Sequence, residues 1–511
     1  MKTHTFIAPM LAAGISLGLA VGCQGSSSPP PAVGAPGVQC APEPAAPVPT
    51  KALGDGYEFE RGFPIGDTAE RAYAEADLSR AIEAYRFFYP TVSGSAIFKG
   101  NAKLGIIPNK VFGTLDTLPR HVGFTLNSDT PYAPLLLDLA AGPMVVELPA
   151  GPLICIAMDV NQLWVADLGL PGPAAGKGDK VVFLPPGYKD KPPAGYRVAP
   201  SPSNKMLVGI RSLPVKGDVP GAIARIKTVK VHPLKPVAGF PEVTWLDLTP
   251  APQDTTPLAW EGTLQYWREL HEVIESEPPN PHFHNMYGEL AVLGIEKGKP
   301  FAPDARLTSL LEKAAKAANA QMRVESFGDR RPDRIVWPDR KWEWAALRFE
   351  DGDFNTANYA DLYARDKWFY QAIGASPAMF KRDPTAGSLY WLGLRDAQGA
   401  TLDGSKTYKL TVPQPVPGKL FWSVTIYDTD TRSQVITDQG KAALRSLFEL
   451  KEKVGTAPLE LYFGPKAPVG HEGEWIKTIP GKGWFTYFRV YGPERAAFDG
   501  SWKPGDFEEV K

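Results

Sequence analysis

Short apolar or alternating runs, each closed off by Gly or Pro, constrain this chain more than any other feature. They cover Pro143 to Leu148, Leu153 to Val160, Lys180 to Leu184, Met206 to Ile210 and Ile226 to Val231. They resume beyond Tyr390, at Tyr408 to Val412, Leu420 to Tyr427, Leu459 to Phe463 and Trp484 to Tyr491. Segments this short, with period-two patterning and turn residues between them, predict strands of a sandwich or barrel. Between the two groups, from about Trp260 to Ser326, the period lengthens: Leu264, Trp267, Leu270 and Ile274, then Leu307, Leu310, Leu311, Ala314 and Ala318, recur at helical spacing. Thr68 to Tyr89 has the same spacing and meets Pro90, which predicts a helix that opens the first domain and stops there. The expected chain is mainly β: an N-terminal β-sandwich over residues 57–255, a helical segment over 256–385 and a C-terminal β-sandwich over 386–511.

Size and charge agree with this division. With 511 residues, 43% of them hydrophobic, the chain can build more than one core, and ordinary domain sizes give about two or three. Its 55 Lys and Arg balance 56 Asp and Glu, so the basic excess that neutralises phosphates is missing and nucleic acid is not an expected partner. Three cysteines without C-x-x-C spacing make neither a disulfide framework nor a structural zinc site.

The N-terminus reads as an export signal over residues 1–22. Lys2 gives the positive start, Phe6 to Val21 the apolar stretch, and Gly22 precedes Cys23. Leu19-Ala20-Val21-Gly22-Cys23 resembles the bacterial lipobox, with Ala20 where Leu is commoner; the resemblance implies lipidation of Cys23 and membrane attachment through that lipid. Gln24 follows, and no Asp stands where inner-membrane retention would need it, so the resemblance favours the outer membrane. Residues 23–56, rich in Pro, Ala, Gly and Ser, read as a disordered tether.

Two strands and a turn hold the residues with chemical potential. In Trp484 to Tyr491, Trp484, Thr486, Phe488 and Val490 share one face; Phe485, Tyr487, Arg489 and Tyr491 share the other. A guanidinium among aromatics either pairs inside the fold, for instance with Asp428, or presents a cationic and aromatic surface to a ligand, so Tyr487, Arg489 and Tyr491 are candidate ligand-binding residues. In Asn127-Ser128-Asp129-Thr130-Pro131-Tyr132, Asn127 and Asp129 suit a turn that enters a strand. The alternative is catalytic: Asp129 as acid or base beside Tyr132, with Asp138 or Asp159 as its partner, for cleavage of a glycan or amide. His271, His282 and His284 are split by Pro278, Pro279 and Pro281, so no metal and no cofactor is expected. Cys155, mid-strand between Ile154 and Ile156, reads as a small buried hydrophobe.

Taken in order, Asn127 to Tyr132, Leu137-Asp138-Leu139, Gly142-Pro143 and Gly209-Ile210-Arg211, then Gly404, Phe421 to Asp428, Trp475, Arg489 to Pro493 and Gly500 to Pro504 resemble the family that joins domains of unknown function 1254 and 1214. Pro131 departs from it, standing where Leu is more frequent. The resemblance spans about residues 70 to 505 and implies two β-sandwiches of jelly-roll type; it does not fix a function. Two functions remain open from the sequence: an envelope lipoprotein that binds or assembles with a small polar molecule, glycan or partner, and a cell-envelope hydrolase using paired carboxylates.

Overall fold

A computed structural model describes residues 51–53, 56–251, 258–347 and 352–511; Cys23 and the signal segment lie outside them. The chain divides into two compact units, residues 1–68 and 69–511.

The described part of the first unit is a small antiparallel sheet in which Tyr57–Glu60 pairs with both Lys51–Leu53 and Phe63–Pro64. Arg61 and Gly62 turn the second hairpin with φ of 52° and 86°, the positive values that a tight two-residue turn requires. Lys51–Leu53 falls inside the stretch whose composition suggests a tether: a strand there is supported by its pairing partner, which composition does not register.

The second unit holds two sandwiches. In the first, the sheet ordered Arg197–Pro200, Asp179–Leu184, Met144–Leu148, Lys230–Pro233 faces the sheet ordered Tyr132–Asp138, Lys205–Ser212, Leu153–Asp159, Trp164–Gly169. Leu135, Val146, Leu153, Phe183 and Val208 fill the space between them. In the second, Trp342–Trp344, Ser388–Gly393, Trp484–Pro493, Gly418–Asp428 and Ala443–Arg445 form one sheet, and Trp475–Lys477, Leu459–Gly464, Thr407–Val412 and Phe507–Val510 the other. Trp391, Trp422, Phe463, Trp484 and Phe488 occupy that core. The fold is sheet-rich, as the alternating runs predict, and among the described residues no sheet closes into a barrel.

Two elements differ from expectation. Ile226 to Val231 is not one strand: Val219–Ile226 is a helix capped by the Asp218 side chain, and the strand is Lys230–Pro233. An apolar run that short does not distinguish the two periods. The helix that Pro90 should end runs from Thr68 to Lys103 with Pro90 inside it. An interior proline costs about 3 kcal/mol, but every residue from Phe88 to Ser95 is buried, so tertiary packing on all sides holds the helix together. Gln162 Nε2 donates to the Pro90 carbonyl at 3.0 Å, and Thr91 Oγ1 donates to Asn161 Oδ1 at 2.8 Å. Gly94 permits this approach, because a Cβ there would lie 2.1 Å from the Val160 carbonyl oxygen.

Around this central helix pack Leu264–Ser276, His284–Val292, Ala305–Phe327 and Leu362–Gln371. Their shared core takes in Tyr85, Tyr89, Trp267 and Trp368, and also Tyr390, Tyr427 and Tyr487 from the outer face of the second sandwich. Period-two geometry therefore gives that sheet two buried faces, one toward its own sandwich and one toward the helices. No helix among the described residues is long and apolar enough to cross a membrane.

Candidate functional site

The outer face of the first sandwich is also covered. On Lys205–Ser212, Met206, Val208 and Ile210 point into the sandwich core, which leaves Leu207, Gly209 and Arg211 on the other side. On Leu153–Asp159 the same alternation leaves Ile156 and Met158 outward. These side chains form the floor of a cavity of about 300 Å³. Ala96 and Ile97 of the long helix, the stretch from His121 to Asn127, and Ile373 and Met379 build walls, and the second sandwich contributes Tyr390, Tyr487 and Arg489. The lining is largely hydrocarbon, with its charge on Arg211, Arg489 and Lys103.

Arg489 is 4% exposed. One guanidinium nitrogen donates to Tyr427 Oη at 2.5 Å and the other to the Thr125 carbonyl at 2.6 Å. The rings of Tyr487, Tyr390 and Tyr427 lie 4.9, 5.3 and 5.5 Å from its carbon centre. The expected partner Asp428 is engaged elsewhere, with Lys482 at 2.9 Å. Arg211 reaches Tyr491 Oη at 3.4 Å, and the rings of Tyr491 and Tyr132 flank it at 5.8 and 5.9 Å. Among the described residues neither arginine has a carboxylate within ion-pair distance. Of the other buried guanidiniums, Arg432 pairs with Glu261 and Arg445 with Glu449 at 2.5 Å, whereas Arg365 donates to the Phe87 carbonyl at 2.7 Å and lies over the Phe87 ring, with no ion pair among the described residues.

Asn127 makes the turn that its residue type suggests, accepting through Oδ1 from the backbone N–H groups of Asp129 (2.9 Å) and Thr130 (3.3 Å). Its Nδ2 donates to Tyr491 Oη at 2.9 Å, which ties the turn to the second sandwich. Asp129 is fully buried next to the cavity rather than on its wall. Oδ2 accepts from Ser423 Oγ at 2.8 Å, and Oδ1 has no hydrogen-bond partner. Burial pushes its carboxyl up from the ordinary value, more than Arg489 and Arg445 pull it down.

The structure brings together Asp129, Tyr132, Arg489 and Tyr491, along with Tyr487, but not the carboxylates proposed for catalysis. Tyr132 and Asp138 are opposite ends of one strand, about 20 Å apart at 3.3 Å per residue. Asp159 lies at the same end as Asp138, since Met206 pairs with Leu137 on one side and Asp159 on the other. Its pKa rises to about 7 on burial, against hydrogen bonds from Asn161 Nδ2 (2.7 Å) and the Leu163 N–H (2.8 Å). Cys155 is buried in the first sandwich core, where desolvation pushes its thiol up. His271 Nε2 donates to the Lys299 carbonyl at 2.8 Å, and no cluster able to hold a metal exists among the described residues.

Sequence reasoning missed Arg211, Gly209, His121 and Tyr390 as site residues. The alternation of Leu207, Gly209 and Arg211 opposite three core residues was a usable signal, since glycine within a strand marks a close approach. His121 had none: its Nε2 is buried on the cavity wall without a partner, and desolvation holds the ring below its usual pKa against the pull of Asp116.

The chain is similar in fold to the crystal structure of the VPA0106 protein from Vibrio parahaemolyticus, at 19% identity and a TM-score of 0.55 over 85% of this chain and 100% of that one. A structure of an uncharacterized protein from Burkholderia cenocepacia aligns at 12% identity and a TM-score of 0.40, over 87% of this chain and 97% of that one. No curated protein matches the chain. Residues 111–233 match the family described as Protein of unknown function (DUF1254) and residues 387–495 that described as Protein of unknown function (DUF1214), in the order that the sequence landmarks imply.

Proposed function

We propose that this chain is a binding protein that holds one small, mainly apolar molecule between its two sandwiches. The cavity carries the reading: its volume of about 300 Å³ is at the lower end for ligand sites, and apolar side chains with a few polar groups line it. That lining suits hydrocarbon better than a glycan. The hydrolase reading loses its support, because Asp138 and Asp159 lie at the end of the strand away from Tyr132, too far from it to act on one bond.

Gly209 supplies the test. A Cβ there would meet Ile156 Cγ2 at 3.5 Å, an ordinary contact, so Gly209→Leu should keep the strand and fill the cavity. Decanol is expected to raise the melting temperature of the unmodified chain as its concentration grows, by the equivalent of about 2.7 kcal/mol at a hundred times Kd. The variant should show no rise. Equal rises in both proteins would refute the proposal.

We also propose that the mature chain is tethered to the bacterial envelope, at the outer membrane, by a lipid on Cys23, and that both sandwiches are jelly rolls; sequence layout and family resemblance support these readings. Cys23→Ser should release the protein from sedimented membranes. A variant that still sediments with them would end the lipoprotein reading.

A further inference from the structure

We propose that the cavity's ligand is an anionic amphiphile: an apolar body of about a dozen non-hydrogen atoms ending in a single carboxylate, which Arg211 and Arg489 receive. This inference rests on the reading of the cavity as a ligand site and adds the chemistry of the ligand.

The argument starts from charge. Arg211 comes from the first sandwich and Arg489 from the second, and both line one cavity. Guanidinium stays protonated in proteins, so both positive charges are permanent. Burying a charge without a partner is costly, and the protein answers that cost at Arg432 and Arg445 with a carboxylate; Arg365, held by the Phe87 carbonyl and ring, has none but does not line the cavity. At Arg211 and Arg489 it supplies phenol oxygens, ring faces and one backbone carbonyl instead. These hold the guanidiniums in place without neutralising them. Asp129, whose charge is felt at Arg489, is bonded to Ser423 and does not line the cavity.

Position completes the case. Two of the five Arg489 N–H groups are engaged, by Tyr427 and Thr125, which leaves donors for a planar acceptor such as carboxylate. Away from the arginines the lining is mostly apolar, with Ile97, Leu115, Met158, Leu207, Ile373 and Met379, and its polar groups Ser93, Asn101, Lys103 and His121 include no carboxylate. A neutral ligand would leave both guanidiniums without a carboxylate, and a cationic one would add to a positive charge that Lys103 already increases. The size follows from volume: a cavity of about 150 Å³ takes up benzene, so about 300 Å³ accommodates roughly twice as many atoms. Decanoate is an amphiphile of that size.

The experiment is calorimetric titration of the full-length protein with decanoate, decanol and decyltrimethylammonium, which share a chain and differ in charge. Decanoate is expected to bind at least about ten-fold more tightly than decanol, as a charge-assisted hydrogen bond implies, with decyltrimethylammonium weakest. Arg211→Gln should reduce decanoate affinity by about ten-fold and decanol affinity by less than about two-fold. Decanol binding as tightly as decanoate to the unmodified protein would overturn the anionic ligand and leave the cavity reading standing. Decanoate binding that persists in Gly209→Leu would place the anion elsewhere and overturn both. Should Arg211→Gln fail to fold, the ligand series on the unmodified protein still decides.

Discussion

Asp329 and Asp129 are both buried aspartates, and the protein shifts them in opposite directions. Burial pushes both carboxyls up. At Asp329 the Lys367 ammonium, 2.7 Å away, more than reverses this and holds the group below its usual value. At Asp129 burial wins, since neither Arg489 nor Arg445 makes an ion pair with it. The wider surroundings repeat the contrast. Between the helices Ala305–Phe327 and Leu362–Gln371, Lys367 also meets Glu343 at 3.3 Å, Glu343 takes Arg334 at 3.1 Å, and Tyr363 Oη donates to Asp329 at 2.7 Å. Cation and acid are matched there, and the cluster is closed. Around the cavity, cations face phenols and the nearest acid is turned away. A closed cluster serves the fold, whereas one left unneutralised beside a cavity is available to something that enters it.

The comparison breaks most readily at Lys367. Lys367→Met leaves Asp329 buried without its cation and Glu343 with Arg334 alone, and is expected to cost about 3–5 kcal/mol, read from denaturant unfolding at pH 7. A loss below 1 kcal/mol would mean that the cluster is not closed.

Next comes pH, through Asp159. Its folded pKa, about 7, lies above the ordinary unfolded value, so the folded state holds the extra proton. Stability from this group is complete below about pH 4 and is lost as pH rises toward 7, by about 2–4 kcal/mol in all. Asp167 and Asp366, raised to about 6, and Glu325, raised to about 7, act in the same direction. Unfolding free energies at pH 5 and 8 should therefore differ more in the unmodified protein than in Asp159→Asn. An unchanged difference would remove Asp159 from the account.

The smallest of the three effects is at Arg489. Arg489→Ala strands a carbonyl and a phenol but no ion-paired carboxylate, so the expected cost is about 1–3 kcal/mol, below that of Lys367→Met. Should the two variants melt alike, the distinction between closed and open charge clusters would fail.

How much of this was legible follows from range. The faces of Trp484 to Tyr491 could be read, because alternation is a local property of a strand, and the structure buries Trp484, Phe488 and Val490 in one core and Tyr487 in another. Arg489 among aromatics was legible for the same reason. Its partner was not: Asp428 was the nearest plausible acid along the chain, but Thr125, which receives Arg489, stands 364 residues away. Asn127 could be read as a turn since its bonds run to Asp129 and Thr130. The cavity could not, because two sheets, a helix and a loop each supply part of its wall. The helix past Pro90 failed for the opposite reason: a strong local rule was outweighed by burial that only the assembled fold provides.

That same helix also sets an order of events during folding. Its buried middle touches partners that arrive much later in synthesis, among them Trp267, Phe283 and Tyr370. When the first half of the chain is made, Tyr85, Phe88 and Tyr89 still lack the rings of Trp260, Trp267, Phe283 and Tyr370. Contacts of such long sequence separation form slowly and leave apolar surface open meanwhile. The first sandwich, whose strands lie within about a hundred residues of one another, can close early. The helix and the cavity wall that it provides must wait for the C-terminal half, so an incomplete chain has a shell but no interior to offer a ligand.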